Sequence, residues 1–415
     1  MKKILTMLLA VVIMLSLVGC GENISDEKSD DKKIASVNSV EFKKVANQLY
    51  EVTYDDYQSD YDFTNLYNKG YSNLTAGACS AIKVGNYLGR NFDFIAGDAA
   101  EIVVRTTSKE NRYATVGMFG AMLWLNSEMI DSGIKDEDIK EFIAHFILDG
   151  INEKGVAMES NVVCALDAGG CTLHTNPGKK EVSKYLLIRY VLDRAASADE
   201  AVQIMKDIDI IDTLPDIAGV QAANYELHFL IADKDKSYVV EFDNTKPDGE
   251  KLIIMPNEQI STNFYLHLAD IPNNVYADYS EGVERYRKLK DNMNSVNLVD
   301  AMKKLMQSIR YSNINRLDGE YAPGENFDNP YTGFSDHLVK GENPRHYNNY
   351  REHLPEVLEE MKRQEKEIAA ILKDPKMHNP NHLWVTSHNT VYDIKNKTMS
   401  VAVYERFDKY YDYSL

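Results

Sequence analysis

Groups of short β-prone runs alternate along this chain with groups of helical segments, and the first of the central runs opens on a cysteine. Cys79 to Asp93, Ile102 to Thr107 and Tyr113 to Phe119 are rich in strand-forming residues and separated by Gly, Asn and charged positions, as adjacent strands are. Asp149-Gly150-Ile151-Asn152-Glu153-Lys154-Gly155 reads as a hairpin linker feeding Val156-Ala157-Met158. A helix is expected from about Val182 to Arg194, and a second one opened by the capping box Ser197-x-x-Glu200. His228 to Ala232 and Ser237 to Phe242 form a strong hairpin pattern, and Leu383 to Tyr392 with Thr398 to Tyr404 form another. Helical segments at Asn297 to Ile309 and Leu354 to Leu372 flank a Gly/Asn/Pro-rich loop from Leu317 to Asn349, a wall or lid by its position. Residues 41–71 carry no clean period and read as a helix followed by a Tyr-rich turn. Strand groups beside helix groups predict a layered α/β or α+β domain.

The thiol that heads these runs is set up for chemistry. Cys79 follows the small residues Gly77 and Ala78, and a cysteine so placed can shed everything upstream through a backbone acyl shift. It then carries a free α-amine with a reference pKa of about 8, which can take a proton from a thiol that is otherwise only a few per cent ionised near neutral pH. A lone cysteine is more often a buried hydrophobe than a nucleophile, so its neighbours decide the matter.

The start of the chain reads as an export signal. Lys2 and Lys3 precede an apolar run from Ile4 to Val18, too short for a span of about 20 residues. It ends in Leu17-Val18-Gly19-Cys20, which resembles the bacterial lipobox, with residues 1–19 as signal peptide and Cys20 as the lipidated residue. Residues 20–40 have the mixed-charge composition of a disordered tether. Attachment to the extracytoplasmic face of a bacterial cell membrane is the expected localisation.

About 395 residues remain, enough for a sizeable core. The formal charge of -18 becomes -20 once Lys2 and Lys3 leave with the signal (-18 minus 2). That balance disfavours nucleic acid, whose binding needs clustered Lys and Arg. Of the four cysteines, Cys164 and Cys171 remain once Cys20 and Cys79 are assigned, and they are either a disulfide across Gly169-Gly170 or two buried thiols. No metal is expected, since Pro380 keeps His378 and His382 off one helical face, and no cofactor motif is present. A homo-oligomer is compatible with these features.

The order of four separated pieces resembles the choloylglycine hydrolase and penicillin V acylase family, linear amide C-N hydrolases with an N-terminal nucleophile, related to acid ceramidase. The pieces are Cys79 with Gly89-Arg90-Asn91-Phe92-Asp93; Asp149-Gly150-x-Asn152-Glu153-Lys154-Gly155 with Asn161; the hairpin bearing Asp233 and Glu241; and Ser261-Thr262-Asn263 followed by Glu284-Arg285-Tyr286. The resemblance implies an α+β fold, the αββα sandwich of N-terminal-nucleophile hydrolases with two antiparallel sheets between helical layers, over residues 79–415. It implies that Cys79 attacks an amide carbonyl, that Arg90 lowers the thiolate pKa, and that Asp93 holds the freed amine. Asn161 would present its amide to the oxyanion, Asn263 would stand near the amine and substrate, and Arg285 near the thiol, with Asn152 and Arg287 as alternatives for the last two.

Because Cys79 lies 59 positions after Cys20 (79 minus 20), residues 41–78 are expected to be a prosegment that is cut at Ala78-Cys79 and stays bound. The implied partner is a small-molecule N-acyl amide. Loops near Phe94 to Ala100, Met118 to Trp124 and Phe264 to His267 are expected to line its acyl site. An acyltransferase of the same family, or a ligand-binding lipoprotein without turnover, are the competing readings.

Overall fold

The computed structural model describes residues 40–57, 78–95, 99–120, 125–163, 173–212, 226–268, 281–310, 384–404 and 406–415. The signal stretch, Cys20, Cys164 and Cys171, His378 and His382, the 317–349 loop and the 354–372 helix lie outside them.

The strands are β1 (Lys43–Ala46), β2 (Leu49–Tyr54), β3 (Ala78–Val84), β4 (Tyr87–Ile95), β5 (Glu101–Thr106), β6 (Thr115–Gly120), β7 (Asp149–Asn152), β8 (Ala157–Val163) and β9 (Glu181–Ser183). They continue as β10 (Asp209–Ile211), β11 (Glu226–Ala232), β12 (Ser237–Phe242), β13 (Leu252–Pro256), β14 (Ile260–Thr262), β15 (Trp384–Asp393), β16 (Thr398–Val403) and β17 (Tyr411–Ser414). The helices are α1 (Ser127–Asp131), α2 (Glu137–His145), α3 (Leu187–Leu192), α4 (Ala198–Asp207), α5 (Glu281–Asn292) and α6 (Val299–Ser308).

Two sheets hold most of these strands. A nine-stranded sheet runs β1-β2-β5-β6-β7-β8-β11-β12-β13 and a six-stranded sheet runs β14-β3-β4-β15-β16-β17. Their facing sides bury Ala81, Leu88 and Val401 against Val103, Val116, Met118, Ile151 and Leu230. On the outer side of the small sheet, Ile82, Ile260 and Val391 pack with Leu289 of α5 and Met302 and Met306 of α6. The approach there is close, since a Cβ on Gly89 would stand 2.6 Å from Met306 Cγ. On the far side of the large sheet, Ile102, Val104 and Phe119 pack with Ile143 of α2, Leu187 and Val191 of α3 and Val202 of α4. The result is helices, sheet, sheet, helices, the αββα sandwich that the resemblance implied, within an α+β class.

The sheets depart from the expectation in one pairing. β2 runs parallel to β5, from Leu49 opposite Glu101 to Tyr54 opposite Thr106, so the large sheet is not wholly antiparallel. β2 belongs to the stretch read as helical from its lack of period, which is instead two strands. Its Leu-Tyr-Glu-Val-Thr-Tyr sequence alternates, with Tyr50, Val52 and Tyr54 all buried, and β-branched and aromatic side chains suit that half-buried ladder. The helix expected from Val182 is β9 followed by the shorter α3, because Val182 and Ser183 pair in parallel with β10. The capping box is formed as read: Ser197 accepts from Glu200 N at 3.1 Å, while Glu200 accepts from Ala196 N at 2.8 Å. Cys79–Asp93 forms the β3–β4 hairpin, in the opposite sheet from its sequence neighbours β5 and β6.

Candidate active site

Cys79 sits second in β3, opposite Phe92 of β4, and its side chain is 1% exposed and free of any disulfide. The pairing of β14 with β3 ends with Thr262 opposite Ser80, which delivers the next residue, Asn263, to the backbone of Cys79. Asn263 Oδ1 accepts from Cys79 N at 2.6 Å and from Arg285 Nη2 at 2.6 Å, while its Nδ2 donates to Val162 O at 2.7 Å. Arg285, on α5, also places Nη1 2.6 Å from Asp93 Oδ2, and Thr386 on β15 donates to Asp93 Oδ1 at 2.6 Å. Strand pairing and one helix therefore bring Cys79, Asp93, Asn263 and Arg285 together. It is Asn263 that holds the Cys79 nitrogen, whereas the Asp93 carboxylate orients Arg285. The Cys79 Sγ lies 4.0 Å from the Asp93 main-chain oxygen.

Arg90 lies on the same face of the hairpin as Cys79, two residues before Phe92, and is wholly buried. Its Nη1 is 2.6 Å from Asp149 Oδ2, its Nη2 donates to Ser160 O at 2.8 Å, and its Nε stands 3.4 Å from Glu159 Oε2. Behind it, His388 Nε2 is 3.0 Å from Asp149 Oδ2 and His388 Nδ1 is 2.7 Å from Glu101 Oε2, while Thr390 and Tyr392 donate to Asp149 Oδ1. Asp149, Glu159, Glu101, His388, Thr386, Thr390 and Tyr392 were not singled out from sequence. Only the Asp149-Gly150 motif hinted at one of them, and β15 contributes four from a region whose sequence shows only strand character. Asn152 of that motif is structural: its Nδ2 donates to Leu192 O and Ala195 O at 2.7 and 2.8 Å, fastening the end of α3 to the turn after β7.

The charges compete. Burial pushes the Cys79 thiol up to about 11, with the Arg90 guanidinium pulling against it less strongly. Burial also presses on Asp149, but Arg90 and His388 outweigh it and hold that carboxyl down at about 2. Glu159 has the weaker hold on Arg90 and goes the other way, with burial and the Asp149 charge raising it to about 8. Its ordinary value is 4.5, so between about 4.5 and 8 the folded chain binds a proton that the unfolded chain has released, and stability falls as pH rises through that window. Glu159→Gln removes this slope. Urea midpoints should therefore shift in favour of the variant between pH 5 and pH 8, whereas midpoints that track those of wild type in parallel would show that Glu159 carries no such proton.

Asn161, on β8, is fully buried, and its Nδ2 donates to Ser261 Oγ at 2.7 Å and Ser261 O at 3.0 Å. Of the expected acyl-site residues, Met118 is in the core between the sheets and Phe264 packs edge-on to Tyr286 under α5, with ring centroids 5.7 Å apart. Residues 96–98 and 121–124 lie outside the described residues, and so do the side chains of Phe94 and Ile95. Phe119, from the expected Met118 to Trp124 stretch, is in the cluster that also holds Cys79, Phe92, Phe142 and Phe146. Among the described residues one group has metal-ligand spacing, His174, Glu181 and Asp209, on the β9–β10 ribbon rather than on the strands that carry Cys79.

Residues 78–267 match the family model described as linear amide C-N hydrolases, choloylglycine hydrolase family. Among solved structures the chain is similar to a mutant conjugated bile acid hydrolase from Clostridium perfringens, at 14% identity and a TM-score of 0.47, with 81% of this chain and 92% of that chain covered. It is similar to a penicillin V acylase from Agrobacterium tumefaciens at 15% identity and a TM-score of 0.39, with 78% and 82% covered. No curated protein matches the chain.

Proposed function

We propose that this chain, whose residues 78–267 match the model of the linear amide C-N hydrolases, choloylglycine hydrolase family, hydrolyses an N-acylated small molecule with Cys79 as nucleophile, freed by scission of the Ala78–Cys79 bond. The observation that carries this is the hold on the Cys79 nitrogen: Asn263 Oδ1 accepts from it at 2.6 Å and is itself fixed by Arg285, which Asp93 orients. A peptide nitrogen needs only one such partner, and the same oxygen is in place to hold an amine once the bond upstream is gone. A thiol raised to about 11 is protonated at neutral pH. It needs a base beside it, and the freed amine is attached to the same residue. Arg90 contributes a fixed charge that favours the thiolate as it forms.

The upstream segment is built to remain. β2 is a ladder partner of β5, and Tyr57 donates to both Asp193 carboxylate oxygens at 2.6 Å, with Arg112 stacked 4.1 Å from its ring. Arg112 also donates to the main-chain oxygens of Tyr57 and Asp55, at 2.7 and 2.9 Å. After the cut, the fragment ending at Ala78 stays attached through these contacts. With Cys20 lipidated at the Leu17-Val18-Gly19-Cys20 sequence, that fragment tethers the enzyme to the outer face of the membrane. Tyr57→Phe leaves the buried Asp193 carboxylate short of a donor and should cost about 1–3 kcal/mol. On gel filtration in mild denaturant the fragment should dissociate earlier than in wild type; unchanged co-elution would remove Tyr57 from the account.

The test of the proposal is intact mass and N-terminal sequencing of purified protein together with turnover of a panel of linear amides. A large fragment beginning at Cys79 and release of free acid and amine are expected. An uncut chain with no amidase activity would overturn it.

A further inference from the structure

Among the described residues, Ser80 Oγ, Glu159 Oε2 and Asn161 Oδ1 are buried around this site without a hydrogen-bond partner. Asn263 links the Cys79 nitrogen to Val162 O, so Asn161, the residue before Val162, belongs to the same cluster. The Asn161 amide nitrogen donates to Ser261, to its Oγ at 2.7 Å and its carbonyl at 3.0 Å, with Glu159 Oε1 at 3.4 Å. Ser261 Oγ in turn is 3.1 Å from His228 Nε2, and His228 Nδ1 is 2.9 Å from Glu241 Oε1. Glu241 is pinned as an acceptor by the backbone N–H groups of Leu266 and His267, at 2.8 and 3.0 Å. His228 therefore has Nδ1 against Glu241 and Nε2 against the Ser261 hydroxyl, which also hydrogen-bonds Glu159.

Turning the Asn161 amide over would set its oxygen 3.0 Å from the Ser261 carbonyl, acceptor against acceptor. The amide nitrogen is thus fixed on Ser261, and among the described residues Oδ1, in a side chain with no exposed surface, has no hydrogen-bond partner. A buried acceptor kept without a partner is costly, and a ligand donor relieves it.

We propose that Asn161 meets the substrate through its carbonyl oxygen, accepting the N–H of the scissile bond, with Ser261 and His228 as positioning residues. The site then selects secondary amides over esters and over amides without an N–H. This rests on the amide hydrolase reading above, and it assigns Asn161 a part other than donor to the oxyanion. A site built to pair with a substrate N–H discriminates strongly against analogues that lack it.

The test uses a p-nitroanilide and a p-nitrophenyl ester sharing one acyl chain, with kcat/KM measured on the processed enzyme. Asn161→Ala should lower the anilide value at least about 10-fold more than the ester value. Ser261→Ala, which removes only a hydroxyl and keeps the fold, should lower the anilide-to-ester ratio in the same direction. Equal losses on both substrates in Asn161→Ala, as removal of a donor to the shared carbonyl oxygen would give, or an unchanged ratio in Ser261→Ala, overturn the inference. Cys79→Ala reports separately: it should abolish turnover of both substrates whichever pole Asn161 uses, and if it does not, the hydrolase reading fails rather than this one.

Discussion

Replacing Cys79 by alanine should lower amide hydrolysis by at least about 10³-fold and leave the chain uncut at residue 78. Both effects come from one atom in the proposed reaction, where the Sγ that would attack the substrate would also attack the carbonyl of Ala78 to release the amine. The substitution is mild for the fold. Cys79 is a small, buried member of a large apolar cluster, and alanine keeps the backbone N–H that Asn263 accepts. A thermal midpoint within a few degrees of wild type is therefore expected, separating lost chemistry from lost structure. Cys79→Ser tests the same point differently, since the hydroxyl keeps the shape but ionises far less readily. Processing that persists in Cys79→Ala would mean that another protease makes the cut.

Arg90→Met should be the most destabilising single change at the site, by about 3–5 kcal/mol at pH 8. Arg90 is the common partner of Asp149, Glu159 and the Ser160 carbonyl, all buried between the sheets, so removing it strands charge that no water can reach. The loss should be smaller at pH 5, where carboxyls without the guanidinium can take up protons and become neutral in the folded state, so stability of the variant rises as pH falls. Arg90→Lys keeps a charge but cannot serve three partners at once and should fall between the two. In Arg90→Met the thiol also loses the attraction that opposes its burial, so the rate of alkylation at Cys79 should drop in that variant. Denaturant unfolding of Arg90→Met that matches wild type at pH 8 would show that this charge is not structural.

Much of the sandwich was legible because hairpins and capped helices are local. β11–β12 and β15–β16 join neighbours through short turns, and Ser197 caps α4 with a residue three positions away. The parallel β2–β5 pairing was not legible, since its partners are some fifty residues apart and the short alternation in Leu49–Tyr54 names no partner. The same division holds in the site. Cys79, Arg90 and Asp93 share one hairpin and Asn263 with Arg285 follows a short motif, so the resemblance to a family could name them. His388, Thr386, Thr390 and Tyr392 reach the site only because β15 pairs with β4 across almost three hundred residues, and nothing in Thr-Ser-His-Asn-Thr-Val-Tyr sets them apart from an ordinary strand. The relay of Asn161, Ser261, His228 and Glu241 is likewise a product of sheet register, because Asn161 stands opposite His228 on β11.

The most direct test of the central claim is to trap the acyl group in transit. Processed enzyme mixed with a linear N-acyl amide, quenched in acid within the first turnover and digested, should yield a peptide beginning at Cys79 that is heavier by the acyl group, with the mass reversed by hydroxylamine. Rapid amide hydrolysis with that peptide unmodified at every quench time, and the same rate in Cys79→Ala, would contradict it.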